Sequence, residues 1–254
     1  MPHTLASFRA LLLVISAILW WPANAQQTDP VSIADPAPLT AEEVAQNLAQ
    51  MNLNRVQALH VYQGTRIYRA KYHGFPGDRS AEMIVKVKYL PPGKKEFVIE
   101  SESGSRLIID RVFKKLLDAE EEQQDSKIQH RSALTGDNYR FTLIGHEDGK
   151  YVLEVEPKRI DKFLYHGRIW VNARDFAVMR LVAEPSKNPS FWTKKADIEQ
   201  VYTKVSGFWL PAYNHSVTAI RLGGRADLTI EYKDYEITAA SQVRSLSPPR
   251  ATSR

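Results

Sequence analysis

The sequence predicts a mainly β fold with some helix (α+β): a long, twisted antiparallel meander with a helix packed into its concavity. Three observations carry this. After Gly136, turn signals recur at short intervals with no helical pattern between them, the mark of an antiparallel meander. From Leu59 onward the apolar residues mostly alternate at period two, as in half-buried strands. One stretch, Ser105 to about Ala119, carries a helical period instead.

The chain opens with Arg9 and an apolar run from Leu11 to Trp21, and then reaches Ala23-Asn24-Ala25. A short basic start, an apolar core and an Ala-x-Ala end read as a secretory signal peptide over residues 1–25, cleaved after Ala25. A spanning helix needs roughly 20 apolar residues, and Pro22 stops this run after about a dozen. Residues 26–39, with three prolines, form a flexible linker. The domain then runs over 40–238, and 239–254 form a disordered basic tail with Arg244, Arg250 and Arg254.

Thr40-Ala41-Glu42-Glu43 is a capping-box pattern that starts a helix, with Val44, Leu48 and Met51 on one face. A strand is expected between Leu59 and Tyr72. Met83, Val85, Val87 and Tyr89 alternate with Glu82, Lys86 and Lys88 as the next strand. Pro91-Pro92-Gly93 turns the chain into a third strand, Lys95 to Glu102. The helix from Ser105 shows a broad apolar face of Leu107, Ile108, Ile109, Val112, Phe113, Leu116 and Leu117, wide enough to dock on a sheet. The acidic run Glu120-Glu121-Glu122 suits a negative helix end badly, so a solvated loop is expected from there to about Gln129.

Tyr139, Phe141 and Leu143 share one strand face, and Tyr151, Leu153 and Val155 follow the Asp148-Gly149 hairpin turn. Further strands hold Phe163 to Val171 and Phe176 to Val182, separated by the Asn172-Ala173-Arg174-Asp175 turn. The last three run over 197–205, 208–221 and 225–237, with Gly223-Gly224 before the last. Leu164 and Trp170 oppose Phe163, Tyr165 and Ile169, so this region is apolar on both faces. The 105–119 helix is the natural cover for the second face, leaving an apolar cleft between helix and sheet.

Composition excludes several classes. Cleavage lowers the formal charge from +5 to +4, and the basic residues are dispersed, without the stripe of a nucleic-acid binder. The remaining chain, about 229 residues, suits one large domain. It has no cysteine, so it has no disulfide, thiolate metal site or cysteine nucleophile, and no lipid-modified N-terminus. The seven histidines include no H-x-x-x-H pair, there is no G-x-S-x-G elbow, and Gly64, Gly74 and Gly77 form no phosphate-binding fingerprint. No enzyme activity, metal or cofactor is expected. A hydrolase of envelope polymers would need carboxylates clustered in the cleft. Asn188-Pro189-Ser190-Phe191-Trp192 has two readings: rings closing one end of the core, or Phe191 and Trp192 as a rim that grips an apolar ligand or partner. In Gly207-Phe208-Trp209-Leu210-Pro211, the strand context favours core packing.

The chain resembles the LolA-like superfamily of periplasmic outer-membrane lipoprotein-sorting proteins. The residues that carry this are the signal peptide, the helix from Thr40, and Arg168-Ile169-Trp170-Val171-Asn172-Ala173 turning into Phe176-Ala177-Val178-Met179-Arg180. The Gly207 to Pro211 phrase followed by Asp227-Leu228-Thr229-Ile230-Glu231-Tyr232 adds to it, and the likeness spans most of 40–237. The resemblance implies an incomplete antiparallel β-barrel, open on one side, with helices plugging an apolar cavity. It also implies a periplasmic carrier that shields lipid or lipoprotein acyl chains without a cofactor; a monomer is expected, though neither the resemblance nor the residues fix the oligomeric state. RseB-like regulators share this fold, which makes a sensor with an inner- or outer-membrane protein partner the alternative. Arg66 and Arg69 both lie near the early strands where the carrier has its key arginine. The cavity candidates are Met83, Val85, Val87, Phe97, Ile99, Phe141, Leu143, Leu153, Phe163 and Ile169.

Overall fold

The computed structural model describes residues 39–238, apart from residues 92, 189–192 and 222. The expected signal peptide with its cleavage point at Ala25, the linker up to residue 38, Phe191, Trp192 and the basic tail lie outside the described residues.

Helix α1 (Ala41–Ala58) starts at the expected capping box. The Thr40 hydroxyl accepts from the Glu43 amide at 3.2 Å, and the Glu43 carboxylate accepts from the Thr40 amide at 2.8 Å. Three strands follow: β1 (Tyr62–His73), β2 (Arg79–Leu90) and β3 (Lys94–Gly104). Helix α2 covers 106–122, with a wider π turn over Ile109–Phe113, and the short helix α3 is Ser126–Ser132. Seven strands complete the domain: β4 (Tyr139–Glu147), β5 (Lys150–Pro157), β6 (Tyr165–Asn172), β7 (Val178–Pro185), β8 (Thr193–Val205), β9 (Phe208–Ile220) and β10 (Arg225–Ile237).

The described strands form one curved, unclosed antiparallel sheet in the order β3-β2-β1-β10-β9-β8-β7-β6-β5-β4. It is two meanders joined where β1 pairs with β10, from Tyr62 opposite Ile237 to His73 opposite Arg225. Directly opposed residues of antiparallel strands share a face. One such row runs Met83, Tyr68, Ile230, Asn214, Gln200, Leu181, Ile169, Leu153, Leu143 across nine strands. This is the inner face, and both long helices pack on it.

α2 lies over β1, β2 and β10. Its Ile108, Ile109, Phe113 and Leu117 are buried against Tyr68, Met83, Val85, Val87 and Ile230. α1 lies at the other end, with Val44 and Leu48 buried against Tyr139, Leu153, Val155, Leu164, Ile169 and Val171. A third cluster of Tyr62, Tyr89 and Leu210, with Leu59, Phe208 and Tyr235 against it, closes one end of β1. The outer face is laced with ion pairs, among them Arg69 with Glu82 (2.7 Å) and Glu231 (2.6 Å), and Arg180 with Glu199 (2.7 Å).

The structure corrects four expectations. The cover over Leu164 is α1 rather than the 105–119 helix, because the β1–β10 pairing carries α2 to the other end of the same sheet face. Trp170 needs no helix: it lies on the outer face under the Arg180 guanidinium, 4.7 Å from its ring centroid. Leu107, Val112 and Leu116 remain exposed, since the π turn shifts the helical phase and only one stripe of the broad face meets the sheet. The acidic run is no loop. α2 continues through Glu122, and the stretch that follows contains α3, capped by the Asp125 side chain.

Phe113 is fully buried at the π turn and touches Tyr68, with ring centroids 5.8 Å apart. Phe113→Ala is expected to lower the unfolding free energy by about 3–5 kcal/mol, read from urea denaturation at neutral pH.

Candidate functional site

Arg66 sits on the inner face of β1, between Gly64 and Tyr68, with 6 % of its surface exposed. A guanidinium cannot lose its charge, so an apolar interior tolerates it only when paired. Glu120, in the last turns of α2, pairs with it: Nη1 donates to Oε2 at 2.5 Å and Nη2 to Oε1 at 3.0 Å. The Lys95 ammonium of β3 donates to the same Oε1 at 2.5 Å. The rings of Phe97 and Tyr232 flank the guanidinium, with centroids 5.5 and 5.1 Å from Cζ.

Burial works against both charges, and the pairing outweighs it. The Glu120 hydrogen bond and charge hold Arg66 above its ordinary pKa. Burial pushes the Glu120 carboxyl up, yet the Arg66 hydrogen bond and the Lys95 charge bring it down to about 2. Burial raises the surrounding phenols Tyr62, Tyr232 and Tyr235, which therefore stay neutral.

Beside this group a cleft of about 310 Å³ opens where the ends of α1 and α2 approach the sheet. Val56, Leu59 and the stacked rings of Tyr62 and Tyr89, 5.1 Å apart, form its apolar wall. Lys95, Glu120 and Gln124 form the polar one. Gln124 clamps the Lys95 backbone, accepting from its amide at 3.2 Å and donating to its carbonyl at 3.3 Å.

Between the two helix-covered clusters, the inner face of β8 and β9 is half-buried. Its floor carries an amide pair in which Asn214 donates to Gln200 at 3.0 Å. Gln200 in turn donates to the Val201 and Tyr213 carbonyls at 3.1 Å, beside an irregularity in the β8–β9 register. Arg106 and Lys114 both reach Glu102 on β3, so that flank of α2 faces the sheet edge. Val112 and Leu116 keep over a third of their surface exposed.

The structure places eight of the ten cavity candidates in two separate clusters and leaves Ile99 and Phe163 outside both. Met83, Val85 and Val87 are buried beneath α2, with Phe97 half-buried against the same cluster and Ile99 40 % exposed on the edge strand. Leu153 and Ile169 are buried beneath α1, with Phe141 and Leu143 packed against that cluster. Phe163 is buried just before β6, with the Lys162 ammonium 4.7 Å from its ring centroid. The two arginines left open by the sequence separate by face: Arg66 points inward, Arg69 outward. Glu120 and Lys95 went unassigned in the sequence. Their one trace is Arg66 itself, a cation at period two with Tyr62, Tyr68 and Ala70, which demands a carboxylate from elsewhere in the chain.

No family model and no curated protein sequence matches this chain. Among the solved structures similar to it are the following three. A DUF1329 family protein from Desulfovibrio piger is 14 % identical, with 79 % of this chain and 94 % of that one covered at a TM-score of 0.38. A domain from Vibrio parahaemolyticus described as an outer membrane lipoprotein-sorting protein domain is 10 % identical, with 77 % and 94 % covered at 0.38. A LolA superfamily protein from Nitrosomonas europaea is 12 % identical, with 80 % and 95 % covered at 0.33.

Glu120→Gln leaves Arg66 buried beside a neutral partner and is expected to cost about 3–5 kcal/mol at pH 7. Because the folded carboxyl titrates below its ordinary value of 4.5, its contribution is complete above that value. It is lost as pH falls toward 2. Acid unfolding followed by near-UV circular dichroism should therefore show a smaller stability loss across that window in the variant than in the wild type.

Proposed function

We propose that this protein binds lipid or lipoprotein acyl chains in the periplasm, taking them onto the inner face when α2 lifts from β1, β2 and β10. One observation carries the reading. The apolar inner face there is covered by a single helix, and that helix is tied down near its end through one buried ion group. The sequence resemblance to lipoprotein carriers supports the same assignment, with residues 1–25 supplying export.

The energetics suit a reversible carrier. Each methylene removed from water contributes about 0.8 kcal/mol. Burying about eight of them gives roughly 6 kcal/mol, a dissociation constant in the tens of micromolar. Met83, Val85 and Val87 would then exchange contacts with α2 for contacts with the chain. Ile99 and Phe97 extend the same surface to the sheet edge, and the exposed Val112 and Leu116 add apolar surface on α2 itself. The chemistry asks for no cofactor and no catalytic group.

A second reading draws on β3, an edge strand that displays Val98 and Ile99 at the surface. Such an edge accepts a segment of a membrane-protein partner as an added strand, as a regulator or sensor would use it.

Native mass spectrometry of protein gently extracted from the periplasm is expected to show co-purified lipid, and the emptied protein should take up a fluorescent fatty acid. Ile99→Glu, at a position exposed enough to fold, should weaken that uptake several-fold. A clean apo mass together with no uptake would remove the carrier reading and leave the edge-strand one.

A further inference from the structure

The hairpin between β1 and β2 ends in a built, charged tip with an aromatic ring at its apex. Phe75 is 87 % exposed, more than any other large apolar residue described. Solitary exposed apolar side chains are common, but this one is held in place. Tyr72, itself packed on the first core cluster, donates its hydroxyl to the Phe75 carbonyl at 2.8 Å. The same hydroxyl lies under Gly74 and Gly224, at φ +154° and +135°, where an added Cβ would come within 2.7 and 2.8 Å of it. Glycine is required at both positions, and the two neighbouring turns are thereby packed together.

Cations ring this apex. A hollow of about 330 Å³ is lined by Lys71, His73, Asp78, Arg79 and Ser80. Asp78 is taken up by His73 at 2.8 Å, whereas neither Lys71 nor Arg79 forms an ion pair among the described residues. Arg225 stands opposite His73 across the β1–β10 ladder and is held by Asp227, which itself stands opposite Lys71, so Lys71 and Arg79 are the cations left for a ligand. Leu107, also exposed, lies two residues beyond Ser105, whose amide donates to the Ser80 carbonyl at 2.8 Å.

We infer that this tip docks the protein on an anionic lipid surface, with Phe75 entering the interfacial layer and Lys71 and Arg79 meeting lipid phosphates. An aromatic ring at the head-group level beside basic side chains is the chemistry such a surface selects. The hollow between the cations has room for a head group. The inference stands apart from acyl-chain binding, which uses the inner face and has its own assay.

The chain lacks cysteine, so Phe75→Cys gives a single attachment point for a polarity-sensitive dye on the full-length protein. The dye should shift to the blue on phosphatidylglycerol/phosphatidylethanolamine vesicles and respond far less on phosphatidylcholine. High salt should suppress the shift. Adding Lys71→Gln and Arg79→Gln should weaken the apparent affinity roughly thirty-fold, at about 1 kcal/mol per cation. A dye at Gln57→Cys, on the exposed end of α1 by the far end of β1, should stay unchanged. A silent dye at position 75, an equal response on neutral vesicles, or full binding by the doubly neutralised chain would each overturn the proposal.

Discussion

β1 lies against β10 along its whole length, and this pairing turns two separate meanders into one sheet with one inner face. Without it, β1 to β3 would be a small sheet with a helix, and β4 to β10 a larger one. With it, α1 and α2 share the inner face at opposite ends of the sheet, and α1 becomes a brace. Its first turns pack on β4 to β6, while Arg55 in its last turn donates to the Asp175 carbonyl at 2.7 Å and the Phe176 carbonyl at 3.0 Å. Leu59, just past its end, joins the Tyr62 and Tyr89 cluster beside β1. The middle of the inner face, on β8 and β9, lies half-buried between the two helix-covered clusters.

Solvation decides what each face can carry. Arg66 and Arg69 are three residues apart in one strand, and odd spacing sends them to opposite sides. On the outer face, Arg69 keeps over two fifths of its side chain in water while it bridges Glu82 and Glu231, and such pairs contribute little. On the inner face, Arg66 has almost no water, and its charge must be met in full by Glu120 and the flanking rings. Asp175 shows the intermediate case: burial pushes its carboxyl up, but hydrogen bonds from Trp209 and Lys204 hold it below its ordinary value. That turn receives α1, so its charge network also positions a helix.

Local pattern carried most of the fold. The capping box at Thr40, the alternation from Met83 to Tyr89, the Asp148-Gly149 hairpin and the Asn172 to Asp175 turn are consequences of short-range chemistry, and each lies where the sequence puts it. The pairing of β1 with β10 joins residues more than 150 positions apart, and no periodicity records it. From that gap followed the wrong cover for Leu164. The acidic run failed for a related reason. Read locally, Glu120 opposes the helix dipole, and only the distant Arg66 and Lys95 make it favourable. The cavity candidates were legible as apolar faces, but their division between two helices was not, because it depends on strand order.

A fully apolar contact would hold α2 as well as the ion group does, since well-packed hydrophobic replacements of buried ion pairs are often neutral or stabilising. The two kinds of fastening differ once the helix leaves. An apolar anchor exposed to water keeps its full hydration cost in the open state, whereas Arg66, Glu120 and Lys95 each recover strong hydration on separating. The desolvation that weakens the pair when closed is returned when it opens, so the free-energy gap between the two states narrows. Phe113 and its neighbours supply the specificity of the closed position, and the charges lower the cost of departing from it. On the carrier reading, a cover that must yield to a ligand bound by only several kilocalories per mole needs that second property, and the placement of Glu120 near the end of α2 puts it where lifting would begin.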